Sequence, residues 1–124
     1  MSTLGTLRSD LATLLGTATG FTANDHAPGR LTVPAVFILP GSPYVEAGNT
    51  FGSFRVRLTA TLAVTAVNNE TASSGLDDAV EEAIIAAVNG GWGVEKASEP
   101  YALEANGGQL AVTNIDVVID GIRL

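Results

Sequence analysis

The sequence predicts an α+β domain of two layers, a mainly antiparallel or mixed sheet with two helices packed on one face, and three observations carry that prediction. Phe54 to Val67 alternates apolar and polar residues, the period of a strand with one buried face. Leu4 to Ala18 and Leu76 to Val88 instead repeat apolar residues at three and four positions, as amphipathic helices do. Near the C-terminus two strand-like runs meet across Asn106-Gly107, a hairpin signal rather than the strand-helix alternation of a parallel sheet. Residues 1–124 read as one domain, long enough to bury most of its apolar surface without a metal or disulfide.

The elements follow in order. Leu4, Leu7, Leu11, Leu14, Leu15 and Ala18 form the stripe of a first helix, capped by Ser2 or Thr3 and ending between Gly16 and Gly20. Phe21 to Thr32, with Asn24, Asp25, Pro28 and Gly29, reads as a turn-rich connection. Val33 to Leu39 is a nearly continuous apolar run, expected inside the sheet and closed by Pro40-Gly41-Ser42-Pro43. A loop from Pro40 to Gly52 carries Tyr44, Glu46, Asn49 and Phe51 into the long strand. That strand places Phe54, Val56, Leu58, Ala60, Leu62, Val64 and Ala66 on its buried face and Arg55, Arg57, Thr59, Thr61, Ala63, Thr65 and Val67 on the other. At roughly 3.3 Å per residue it spans about 46 Å, against a diameter near 35 to 40 Å for a globule of this size. It is therefore expected to bend or project, and to offer pairing surface to other copies. Asn68 to Gly75 reads as a polar turn, with Ser74 and Asp77 as a variant capping box for the second helix. Leu76, Val80, Ala83, Ile84, Ala87 and Val88 form that helix's stripe, and Gly90 or Gly91 ends it. Strands are expected at Val94 to Ala97, Tyr101 to Glu104 and Leu110 to Ile122.

Composition narrows the function. Thirteen acids against six Lys and Arg give a formal charge of -7, which argues against tight binding to a phosphate backbone but suits a surface past which DNA slides unheld. Cysteine is absent, so neither a disulfide framework nor a thiolate metal site is available. No apolar run approaches the ~20 residues that span a bilayer, and no membrane segment or secretion signal is expected.

The chemistry-bearing residues do not converge. His26 is the one histidine, and no nucleophile elbow or second imidazole supports a catalytic or metal role for it. The glycines of Asn89-Gly90-Gly91-Trp92-Gly93 follow a helix instead of preceding one, so they read as a C-cap and not a phosphate cradle. Trp92 is expected to anchor the second helix to the sheet. Asp77, Asp78, Glu81 and Glu82 are expected in that helix's first turns, where the dipole favours acids. No catalytic, cofactor-binding or metal-binding residue is assigned. Arg55 and Arg57 on the outer strand face, and Ile85 about 150° from the second helix's stripe, are left over by the fold. They are expected at subunit contacts, and replacing them is expected to leave monomer stability nearly unchanged.

The leucine-striped first helix, Pro34-Ala35-Val36-Phe37-Ile38 followed by Pro40-Gly41-Ser42-Pro43-Tyr44-Val45, and Thr50-Phe51-Gly52 running into an arginine-bearing strand together resemble the tail terminator proteins of long-tailed siphophages, especially those of actinobacterial hosts. The resemblance covers nearly the whole chain in length and element order. It implies a structural virion protein without enzymatic activity or cofactor, assembled in the host cytoplasm and located at the head-proximal end of the tail. Such a subunit forms a homohexameric ring that caps the tail tube, stops its growth and meets the head-tail connector or neck protein, while DNA passes through without specific binding. Tyr44 and Phe51 join Arg55, Arg57 and Ile85 as expected interface residues. Another head-tail connector or minor tail component is the alternative reading, and a small ligand-binding module the next. An acidic inner wall is expected from some of Glu70, Asp77, Asp78, Glu81, Glu82, Glu95 and Glu99.

Overall fold

The computed structural model describes residues 2–25, 34–65, 69–105 and 108–124, with the backbone alone for 69–74, 103–105, 108 and 109. The elements run α1 (Thr3–Thr19), β1 (Thr22–Asn24), β2 (Ala35–Ala47), β3 (Phe54–Thr65), α2 (Asn69–Asn89), β4 (Gly93–Ala97), β5 (Tyr101–Ala105) and β6 (Gly108–Ile122). The fold is α+β, with both helices and a mixed sheet ordered β1-β2-β3-β6-β4. β1 pairs parallel to β2, and every other pairing is antiparallel. β4 and β5 lie end to end along the edge of β6 that β3 does not occupy.

Local chemistry fixes the helix ends. The Ser2 hydroxyl accepts from the Gly5 N–H at 3.0 Å, satisfying a donor that the first turn leaves open. Gly20, at φ 74°, ends α1 by donating its N–H to the Gly16 carbonyl. At the end of α2 the Trp92 N–H reaches the Ala87 carbonyl and the Gly91 N–H that of Val88, a Schellman closure that turns Trp92 back into the core. Trp92 is 6% exposed there, the anchoring role expected of it.

Both helices cover one face of the sheet. Leu11, Ala12 and Leu15 of α1 and Leu76, Ala79, Ala83 and Ala87 of α2 meet Val36 and Ile38, Val56, Leu58, Ala60 and Leu62, and Ile115 and Val117. The even-numbered residues of β3 supply the middle of this core, as their alternation requires.

Several expectations are corrected. The long strand does not project as a free edge: β2 pairs it from Phe54 to Ala63 and β6 from Phe54 to Thr65, so its pairing capacity is used inside the chain. Its predicted residues Ala66 and Val67 lie outside the described residues. β2 does not stop at Leu39 but continues through Pro40 and Pro43 to Ala47, with a register shift between Pro40 and Val45. β1 reaches only as far as Phe37, so the prolines fall where β2 is an edge strand and a missing N–H deprives no neighbour. The turn-rich connection contains the short β1, and residues 26–32 of it, with His26, lie outside the described residues.

α2 begins at Asn69 rather than after Gly75. Ser74 is therefore inside the helix, not its cap, and Asp77, Asp78, Glu81 and Glu82 sit beyond the first turns, where the dipole effect has faded; these four acids form an exposed, solvated face. Val88, expected in the stripe, is 55% exposed. The hairpin is closed by pairing of Ala105 with Gly108, while Asn106 and Gly107 themselves lie outside the described residues.

Two substitutions test this core. Leu58 is 1% exposed at its centre, and Leu58→Ala lowers unfolding stability by about 2–5 kcal/mol in a denaturant titration. The Thr113 hydroxyl is buried without a hydrogen-bond partner, so Thr113→Val, of the same shape, raises stability by about 1 kcal/mol.

Candidate interaction surface

The sheet face turned away from the helices carries the odd-numbered residues of β3, and there the sequence places its cations beside acids from neighbouring strands. Pairing of Glu46 with Arg55 brings the β2 carboxylate between Arg55 and Arg57. Arg55 donates from Nη1 to Glu46 at 3.3 Å and from Nη2 to Asp120 at 3.1 Å. Arg57 donates from Nη1 to Glu46 and from Nε to Glu95 at 3.0 Å. The row continues along the strands: Thr59 donates to Asp116 at 2.9 Å, Lys96 lies 3.8 Å from the same carboxylate, and Thr61 donates to Asn114 at 2.8 Å. Four strands are thus laced together across one face.

The charges act on one another in the direction this geometry requires. The hydrogen bond from Arg57, followed by the fields of both arginines and the bond from Arg55, holds Glu46 below the usual carboxylate range despite some desolvation. Asp120 is lowered by the Gly121 N–H first and by Arg55 second. Both guanidinium groups are raised, Arg55 chiefly by Asp120 and Arg57 chiefly by Glu46. Gly41 is required beside this row, since a Cβ there would lie 2.7 Å from the Arg57 Cβ.

The ladder also braces the turn between β2 and β3. Arg55 Nη2 donates to the Asn49 side-chain oxygen at 3.3 Å, and Asn49 donates to Asp120 at 3.3 Å. Within the turn the Gly48 N–H meets the Ser53 carbonyl, the Ser53 N–H meets the Thr50 carbonyl, and the Ser53 hydroxyl donates to that same carbonyl at 2.6 Å. Gly52 takes φ 83°, which a side chain would strain. The outcome is a fixed turn whose Phe51 is 101% exposed.

The five expected interface residues are therefore distributed unequally. Arg55 and Phe51 belong to one braced unit, and Arg57 adjoins it. Tyr44 is half-buried against the main core. Ile85 is 54% exposed on α2, in the helical layer and apart from the others. The premise that the fold leaves the arginines over is corrected, because both are used within the chain. Sequence reasoning missed Glu46 and Asp120 as their partners; only the strand register brings them together.

An open cleft of ≈ 250 Å³ beside Arg57 is walled by Ser42, Thr59, Glu95, Lys96 and Asp116. Its charged groups already engage one another. Among the described residues no group of three or more His, Cys, Asp or Glu gathers as metal ligands, and no helix is long and apolar enough to cross a membrane.

Glu46 and Asp120 have folded pKa values below their unfolded ones, so their contribution to stability is present above the ordinary carboxylate pKa, ~4, and disappears as pH falls through the lowered folded values. Urea midpoints taken from pH 7 down to pH 3 fall less steeply for Glu46→Gln than for the wild type. Arg57→Glu, which sets a third carboxylate beside Glu46 and Glu95, lowers the thermal midpoint, contrary to the sequence-based expectation. Among known proteins, no family model and no curated sequence matches this chain.

Proposed function

We propose that the chain is the structural subunit of a ring that caps a siphophage tail tube, ends its polymerisation and presents the surface that the head-tail connector joins. The observation that carries this reading is the braced turn with its wholly exposed Phe51, which coincides with the Thr50-Phe51-Gly52 piece of the resemblance. The charges of one sheet face stiffen a plate, and among the described residues one fully exposed aromatic ring, Phe51, reaches outward, which suits an assembly component. The α+β fold is the one that the resemblance implies.

In such a ring the solvated face of α2, with Asp77, Asp78, Glu81 and Glu82 all exposed, suits the channel, where negative charge keeps DNA from binding. Glu95 does not belong to that wall, because it is paired with Arg57 on the opposite side of the sheet. Subunits of charge -7 repel one another, so assembly strengthens with added salt.

Polymerisation of the tail tube protein with and without this chain tests the reading. Tubes grown in its presence end in a ring of this protein at one end and stop lengthening, as electron micrographs display, and the chain leaves duplex DNA unshifted in a gel. Unchanged tube lengths with bare ends refute the proposal.

A further inference from the structure

We infer that Phe51 anchors a contact between copies of this chain by seating in the groove between α1 and α2 of the neighbouring subunit. The inference rests on the ring reading and adds the two surfaces that meet. A wholly exposed phenylalanine gains from burial, since an aromatic side chain removes roughly 150–250 Å² from water. Here little order has to be imposed first: the turn is already closed by the Gly48–Ser53 and Ser53–Thr50 hydrogen bonds and tied to Arg55 and Asp120. Preorganised aromatic anchors of this kind carry much of an interface's energy.

The receiving surface is the subunit's own shallow groove of ≈ 490 Å³, lined by Asp10, Thr13, Leu14, Thr17, Ala18 and Ala86. Its walls are chiefly apolar, and small residues at Ala18 and Ala86 leave it open enough for a ring. Charge identifies the occupant. The Arg123 guanidinium lies over the turn beside Phe51, 3.1 Å from where a Cβ on Gly52 would stand. Asp10, exposed on the groove rim, is the acid it meets when Phe51 enters the groove. Among the described residues neither side chain takes part in an ion pair. Turn and groove are different surfaces, so the contact is head to tail and closes a ring when the rotation between subunits permits.

The chain has no cysteine, which allows a direct test. Thr50→Cys chains, which keep Phe51, are mixed with Thr17→Cys chains, whose substitution lies in the exposed groove lining, oxidised, and the products weighed. The inference predicts a disulfide-linked pair containing one of each, at least ~10-fold over either self-pair, equivalent to about 1.4 kcal/mol. Phe51→Asp, on a side chain that is wholly exposed in the single chain, keeps the wild-type thermal midpoint in dilute low-salt solution, where both are monomeric, but sediments as monomer at the salt concentration where the wild type assembles. Asp10→Arg weakens assembly, and Arg123→Asp in the same chain restores it. Equal yields of all pairs, or assembly by Phe51→Asp like that of the wild type, overturn the inference while leaving the ring reading standing. Wild-type monomer at every salt concentration overturns both.

Discussion

The alternation of β3 is the constraint on which the remainder of the structure depends. Its even-numbered side chains commit one face of the sheet to the helices, and a slip of one residue would drive Arg55 and Arg57 into that core. The same register that buries Leu58 and Leu62 therefore sets the arginines opposite Glu46 and within reach of Asp120 and Glu95. Packing and electrostatics select one alignment. Neither could be shifted without losing the other.

The ion pairs matter more for geometry than for stability. Exposed pairs contribute little each because water and salt screen them, and these side chains remain in contact with solvent. What they supply is cross-bracing: Glu46 links two successive arginines, and Arg55 carries that link into Asn49 and the turn that bears Phe51. A projecting aromatic ring on a slack loop would lose conformational entropy on binding; one on a braced turn loses little. The sheet face and the exposed turn are thus one mechanical unit.

Much of the fold is legible along the chain because its determinants are local. Period-two alternation marks β3, leucine spacing marks α1, and the glycine pair after Asn89 marks the end of α2. Two errors came from reading local signals without their neighbours. Pro40-Gly41-Ser42-Pro43 has the composition of a stop, yet continues β2 because that part of the strand is an edge. Asn69 to Ser74 is polar and gives no apolar period, yet no proline prevents it from extending α2. The interaction surface was half legible. Phe51 and the arginines stand out by type and position, but Arg55 and Asp120 are 65 residues apart and their pairing depends on the strand order. The groove is invisible in sequence, since Leu14, Ala18 and Ala86 are ordinary helical residues until two helices pack side by side.

The central proposal is that this chain assembles into a closed ring. Native mass spectrometry of the purified chain across a range of ionic strength tests it most directly. The account predicts a discrete six-subunit species that gains population as salt rises, with no ladder of open-ended oligomers. A spectrum of monomer alone at every ionic strength would contradict it.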